Sequence, residues 1–234
     1  MNLNNYLTKL RSTQSQVECE RFYEQVYQDA KLYQSKEEPE KNILTFLTVL
    51  SSDEAPYFKS YCLLFAGAIL DAATLSKNIA LKIADTLADI LDRLIDFDVF
   101  DTQNRYVHTF SHAMYLSESL MPSLSNLPQT KEQLIEALLQ VYLRGDQPFH
   151  ANEDLVLAGI LVQFVTDVKA VNAIIAKLAP IPDNPEGVCE NLIICESNKR
   201  QLWMSLRQLS EDKKSPFLEA TQRIRNQTIS LLFP

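Results

Sequence analysis

The sequence predicts an all-α fold, and three observations carry that prediction. Apolar residues recur at spacings of three and four along most of the chain, which is the period of an amphipathic helix. The sequence lacks convincing β-type alternation, and it lacks the Asn-Gly and Asp-Gly dipeptides that close β-hairpins. The predicted helices are joined by short loops, which favours antiparallel neighbours. We therefore expect an irregular antiparallel helical repeat, either a HEAT/armadillo-like α-solenoid or a multi-helix bundle.

The first half of the chain predicts four helices. Apolar positions recur at helical spacing from Val17 to Tyr33. The second helix begins at Glu38-Pro39-Glu40, because proline is tolerated and carboxylates are favoured in a first helical turn. Residues 57–70 are apolar almost all round, which is typical of a central helix. Ser76 can cap a helix that reaches Leu94, whose opposite face carries an acidic stripe that we interpret as water-facing (Asp85, Asp89, Asp92 and Asp96).

The middle of the chain continues the helical pattern. A helix from Val107 to Met121 is expected to stop at Pro122. A linker follows, and Thr130 with Gln133 has the spacing of a capping box, so the next helix should begin there. Asn152 has the side chain of an N-cap and predicts the start of a further helix.

The segment 179–185 contains three prolines and is the strongest break in the pattern. Beyond it, apolar spacing predicts separate helices over 188–195, 202–209 and 217–232. A C-terminal piece of about fifty residues would be marginal as an independent domain. We therefore expect a single domain over residues 1–234, with a weak lobe boundary near 180–185.

Composition and charge exclude several functional classes. No run of ~18 apolar residues occurs, so no transmembrane helix is expected. The N-terminus lacks the basic and apolar regions of a secretory signal, so we expect a soluble, cytoplasmic protein. A net charge of −8 argues against nucleic-acid binding, which needs a basic face. The four glycines are dispersed, which excludes a phosphate-binding P-loop and a G-x-G-x-x-G fingerprint.

The three histidines all lie between positions 108 and 150. His108 and His112 are four residues apart on a predicted helix, so they share a face and can hold one metal ion between them. The glutamate of an H-E-x-x-H metalloprotease is missing. A further ligand would come from another helix, where His150, Glu153 and Asp154 are the candidates. The alternative is a structural pair of histidines bonded to carboxylates or backbone carbonyls.

Two stretches carry a resemblance to a known family. They read Arg105-Tyr-Val-His-Thr-Phe-Ser-His-Ala-Met-Tyr-Leu and, some forty residues later, Pro148-Phe-His-Ala-Asn-Glu-Asp-Leu-Val-Leu-Ala. They resemble a bacterial family of HEAT-like helical proteins that is known only as a domain of unknown function. Its pattern is G-W-A-H-x-x-A-H-G-A-D, followed by Glu-Asp-x-Arg-Leu on a later helix.

The resemblance assigns His108 and His112 to the two motif histidines, and Glu153 and Asp154 to the later acidic pair. Several positions depart from the pattern. Tyr106-Val107 replaces the Trp-Ala, Met114-Tyr115 replaces the Ala-Asp, and Val156 replaces the arginine. The resemblance therefore implies an irregular helical-repeat fold and supplies no activity.

Two function classes fit these observations. The first is a binding or scaffold module, with a polar pocket of histidines and acidic residues that recognises a protein or peptide partner. The second is a small hydrolase that uses His108 and His112 as divalent-metal ligands or as an acid–base pair, with Glu153 as a further ligand or general base. A divalent metal is the only cofactor that the pattern suggests.

Overall fold

A computed structural model describes the chain over residues 3–12, 15–32, 37–50, 54–73, 75–94, 107–144, 148–149, 152–179 and 190–222. Within these ranges all regular secondary structure is helical, which confirms the all-α prediction. No helix in this part of the chain is both long enough and apolar enough to span a bilayer. The α-helices are α1 Leu3–Ser12, α2 Gln16–Ala30, α3 Glu37–Val49, α4 Pro56–Ala72, α5 Lys77–Asp92, α6 Thr109–Leu120, α7 Pro128–Leu143, α8 Glu153–Phe164, α9 Val168–Lys177 and α10 Glu190–Lys213. A 3₁₀-helix spans Met121–Leu124, and a short helical segment spans 217–222.

The contacts within the chain divide it into two compact units. Unit 1 comprises residues 1–138 and unit 2 comprises residues 139–234, so the division falls within α7. The expected lobe boundary near 180–185 lies outside the described residues. That boundary and the expectation of a single domain stay predictions.

Helix α4 forms the centre of unit 1. It packs against α2, α3 and α6, and most of its residues from 57 to 70 are buried, which confirms the prediction of a central helix. Phe65 illustrates the packing, because it is fully buried and its ring lies edge-on to Phe46 of α3 at 5.9 Å between centroids. Burial of such apolar side chains is the main source of stability in this unit.

Helices α2, α4 and α6 run in the same direction. The Sγ atom of Cys19, in the first turn of α2, lies 2.6 Å from the hydroxyl of Tyr57 in the first turn of α4. The hydroxyl of Ser60, also near the start of α4, accepts a hydrogen bond of 3.1 Å from the backbone N–H of His108, the residue that precedes α6. Because α4 also packs against both neighbours, the N-terminal ends of the three helices lie on one side of unit 1.

Unit 2 is built around the packing of α8 against α10. Leu157 and Leu161 of α8 and Leu202 and Leu206 of α10 are fully buried. The intervening helix α9 begins at an N-cap, Asp167, whose carboxylate accepts the N–H of the third residue after it at 2.9 Å. This is the usual way in which an aspartate satisfies the first turn of a helix.

The first helix of the chain, α1, precedes the first predicted helix and has buried Tyr6, Leu7 and Leu10. Val17, the first apolar position of the spacing that predicts α2, does not belong to its buried face, because 56% of its surface is exposed. Cys19, three residues into the helix, is buried in its place. The buried face of α2 therefore follows from its packing against α4, and the apolar spacing alone did not select it.

Two further boundaries correct the sequence analysis. Helix α7 begins at Pro128 and not at Thr130, because the fixed backbone of proline suits the first helical position. The separate helices predicted at 188–195 and 202–209 are one continuous helix, α10. The polar residues between them do not break it, since Asn198 is buried and donates from Nδ2 to the backbone oxygen of Tyr142 at 3.1 Å.

Candidate functional site

The orientation of the His112 ring is fixed by α4. Its Nδ1 atom lies 2.8 Å from the hydroxyl of Ser60 and 3.0 Å from the backbone oxygen of the same residue. A carbonyl oxygen can only accept a hydrogen bond, so this geometry places the ring proton on Nδ1. The Nε2 atom of the neutral ring is then a hydrogen-bond acceptor.

Burial keeps His112 neutral. It lowers the pKa of the imidazole from 6.5 to about 4, against a smaller opposing effect of the Ser60 backbone hydrogen bond, and the neighbouring His108 lowers it further. The ring packs edge-on to Tyr61 at 5.3 Å between centroids, and the residue keeps part of its surface exposed. At pH 7 the side chain therefore presents a lone pair and no charge.

His108 lies at the N-cap position of α6 and not within the helix. Its backbone carbonyl accepts the N–H of His112 at 2.8 Å, and its Nδ1 lies 3.3 Å from the hydroxyl of Ser111. The two imidazole rings are 6.5 Å apart between centroids and tilted by 46°. The structure thus brings His108 and His112 close together, and His108 is buried.

The other predicted site residues belong to unit 2 or lie outside the described residues. His150 is outside them. Glu153 and Asp154 form the first turn of α8. Within the described ranges, no group of three or more histidine, cysteine, aspartate or glutamate side chains is arranged to hold a metal ion. The set of His108, His112 and Glu153 as metal ligands stays a prediction.

A second polar cluster follows His112 along the same helix. The hydroxyl of Tyr115 donates a short hydrogen bond to Oδ2 of Asp71 on α4. The hydroxyls of Tyr115 and Tyr23 on α2 are 2.7 Å apart, and their rings meet edge to face at 6.2 Å. Burial and these two partners raise the pKa of Tyr115 far above its usual value of 10, so the phenol keeps its proton.

The position of Tyr115 depends on Gly67 of α4. A Cβ atom at residue 67 would lie 2.6 Å from Cε1 and 2.7 Å from Cδ1 of the Tyr115 ring. Side-chain atoms do not approach each other this closely, so any larger residue would displace the ring. The grouping of Gly67, Asp71, Tyr23 and Tyr115 was not predicted from the sequence. The one available signal was that Tyr115 follows His112 by three residues and therefore shares its side of the helix.

The acidic turn of α8 has its own surroundings in unit 2. Glu153 is buried, and Asp154 accepts a short hydrogen bond from the hydroxyl of Ser205 on α10. Tyr142 of α7 is fully buried, and its hydroxyl has no hydrogen-bond partner among the described residues. Burial raises the pKa of Tyr142 well above 10, and the charges of Asp154 and Glu153 raise it further. Its ring stacks on Phe149 at 4.8 Å between centroids.

Comparison with known proteins identifies a family. Residues 45–184 match the family described as "Protein of unknown function (DUF2785)". This span covers more than half of the 234 residues, so the chain belongs to that family. It includes His108, His112 and the acidic turn of α8. No curated protein and no solved structure matches the chain. The expected resemblance to a family of unknown function is confirmed, whereas its sequence motif and HEAT-like character stay predictions.

Proposed function

We propose that this member of a family of unknown function is a binding module, and that it recognises a protein or peptide through one face of α2, α4 and α6. We call this surface the His–Tyr face and define it by His112, Tyr115, Tyr23 and Asp71. The observation that carries the proposal is that three helices hold these four side chains by hydrogen bonds while leaving each at least partly exposed.

Such an arrangement favours recognition because the side chains are already ordered. Binding normally costs about 0.5–1.5 kcal/mol for each flexible side chain that becomes immobilised at an interface. The Ser60 backbone already holds His112, and Asp71 and Tyr23 already hold Tyr115. Tyrosine is also enriched among the residues that dominate binding energy at protein interfaces.

The packing of the helices supports the same proposal. Helix α2 contacts α4 and α4 contacts α6, so each contact skips one helix along the chain. All three helices run in one direction. Helical-repeat proteins stack in this way and bind partners along the resulting row of helices. The contacts therefore favour an irregular repeat over a simple up-and-down bundle in unit 1.

The proposal can be tested with a photo-crosslinking residue placed on α6 in the cells that make the protein. Ser119 is partly exposed and lies one turn after Tyr115, so it borders the His–Tyr face. Asp85, exposed on α5, is the matched control. We expect a discrete crosslinked partner from position 119 that is absent from position 85 and is lost with His112→Gln. Identical products from both positions, or no product from either, would contradict a binding role for this face.

The alternative function is a hydrolase that uses His108 and His112 with Glu153. One observation favours it, because histidines that bind metals or act as bases commonly donate their other N–H to a carbonyl, as His112 does to Ser60. However, a general base works best with a pKa near the working pH, and burial holds that of His112 at about 4. Elemental analysis of the purified protein tests whether the hydrolase is metal-dependent. About one metal ion per chain, lost in a folded His108→Ala/His112→Ala variant, would favour the hydrolase over the binding module.

A further inference from the structure

The hydrogen-bond donors of the His–Tyr face are already used within the protein, because each side chain that carries a proton donates it to another group of the protein. His112 donates from Nδ1 to the backbone oxygen of Ser60. Tyr115 donates to Asp71. Since the only hydroxyl proton of Tyr115 is used in this way, the 2.7 Å contact between the two phenols requires Tyr23 to donate to Tyr115.

What remains available on this face is a set of acceptors. These are Nε2 of His112, the lone pairs of the Tyr23 hydroxyl and the second carboxylate oxygen of Asp71. No other partner for these three atoms lies among the described residues. Asp71 is exposed, and His112 and Tyr23 are partly exposed, so a ligand can reach them. A complementary ligand must therefore bring several donors and, because of the carboxylate, a positive charge.

We propose that the His–Tyr face binds an arginine side chain of the partner; this rests on the proposed binding function. A guanidinium group carries five N–H donors in one plane and no acceptor. It can form a charge-assisted hydrogen bond to Asp71 and a second bond to a neutral acceptor such as His112. Its flat face also packs on tyrosine rings, and here the Tyr23 and Tyr115 rings meet at 6.2 Å between centroids.

Other ligand chemistries fit the face less well. A carboxylate or a phosphate would bring only acceptors against a surface that also offers acceptors, and the net charge of −8 would repel it. A lysine ammonium carries a compact, strongly hydrated charge and lacks the planar set of donors. Selection of arginine over lysine is therefore part of the proposal.

The test uses a capped Gly-Arg-Gly tripeptide and its citrulline counterpart, which has nearly the same shape without the charge. Binding is followed by the NMR signals of the His112 ring nitrogens and of the backbone amides of Tyr23, Asp71 and Tyr115. Asp71→Asn removes the carboxylate from the face, and Asp85→Asn removes one exposed carboxylate from α5 as the matched control.

We expect the arginine tripeptide to shift these signals and the citrulline tripeptide to bind at least about tenfold more weakly, since citrulline cannot form a charge-assisted hydrogen bond to Asp71. Asp71→Asn should weaken arginine binding by about tenfold, while Asp85→Asn leaves it unchanged. An unchanged melting temperature would show that the Asp71→Asn protein is folded.

Three results would overturn the arginine assignment. They are equal binding of the citrulline tripeptide, equal binding of a lysine tripeptide, and an equal loss in both aspartate variants, which would indicate general attraction to an acidic protein. A crosslinked partner at position 119 without arginine binding would leave the binding module standing and reject this inference alone. Absence of both would reject both.

Discussion

Tyr115 in unit 1 and Tyr142 in unit 2 are two tyrosines that differ in exposure and in hydrogen bonding. Each lies near carboxylates, and burial with those carboxylates raises the pKa of each phenol. Tyr115 donates its proton to Asp71 and accepts another from Tyr23. The hydroxyl of Tyr142 has no hydrogen-bond partner within the described residues, while Asp154 is bonded to Ser205. Proximity to a carboxylate is therefore not enough, and what matters is whether a neighbouring helix presents the acceptor in the right direction.

This difference in hydrogen bonding bears on which surface is suited to bind a partner. A buried hydroxyl without a partner costs about 1–3 kcal/mol, whereas a hydroxyl that donates to a carboxylate contributes to stability. In unit 1 the corresponding groups are satisfied and ordered, and lone pairs remain at the surface. The surface that we propose for recognition therefore includes α6, although the sequence pattern pointed equally to the acidic turn of α8.

The largest expected effect is a loss of stability at acidic pH that is due to His112. The pKa of its folded form is about 4, below the 6.5 of the unfolded chain, so between these values only the unfolded chain takes up the proton. The free energy of unfolding should thus fall by roughly 2–3 kcal/mol as the pH drops from about 6.5 to about 4, after allowance for the partial exposure of the ring. Above pH 6.5 this contribution is constant.

Urea unfolding of wild type and His112→Gln near pH 7 and near pH 4.5 measures this effect. Because the many carboxylates titrate in both proteins, only the difference between them reports on His112. Wild type should lose more stability than the variant on acidification. The same loss in both proteins would show that His112 is not held neutral.

Loss of the Ser60 hydroxyl should have the next largest effect. Ser60→Ala leaves the buried N–H of His108 without its acceptor and removes one of the two acceptors at His112, so we expect a cost of about 1–2 kcal/mol in urea unfolding. Ser117→Ala is the matched control, because that buried hydroxyl donates to a carbonyl of its own helix, at 2.7 Å. Its cost should be a few tenths of a kcal/mol. Equal losses of stability in the two variants would mean that the hydrogen bonds of Ser60 between α4 and α6 stabilise the fold no more than a bond within one helix.

Tyr115→Phe should cost about 1 kcal/mol, because it removes a hydrogen bond to a carboxylate and leaves the Tyr23 hydroxyl with a poorer acceptor. The loss is kept modest by the exposure of Asp71, which water can solvate in the variant. Chemical denaturation measures it. Unchanged stability would indicate that the cluster is optional for the fold.

Tyr142→Phe should have the smallest effect and the opposite sign. Removing a buried hydroxyl that has no partner within the described residues should leave stability unchanged or raise it by up to about 1 kcal/mol. The same denaturation series tests it beside Tyr115→Phe. A clear loss of stability would show that the Tyr142 hydroxyl is bonded in solution, and it would remove the contrast between the two tyrosines.

The sequence predicted the helices better than it predicted the site. Periodicity located the central helix α4, because burial on nearly all sides leaves an almost uniformly apolar segment. Ser76 and Asn152 were correctly placed before α5 and α8, yet neither side chain makes a capping bond. The Ser76 N–H donates to Glu40 instead, and Asn152 has a left-handed backbone with a φ of 66°.

The site partners could not be read from local spacing. Ser60 lies 52 residues before His112, and Asp71 lies 44 residues before Tyr115. Only the packing of α4 beside α6 brings each pair together, and periodicity does not specify which helices become neighbours. The direction of each hydrogen bond, which decides what the surface can bind, depends on that packing as well. For Glu153 and His150 the predicted convergence with the histidines stays a prediction.

The close fit of Gly67 to the Tyr115 ring has an evolutionary consequence. In the interior of a helix alanine is favoured over glycine by about 1 kcal/mol, so drift should remove this glycine unless the ring holds it in place. The two positions should therefore change together in related proteins. Relatives with a small or short side chain at the position of Tyr115 are free to carry alanine at 67, whereas those that keep the tyrosine should keep the glycine. Paired substitution across a family would thus record which members retain the His–Tyr face.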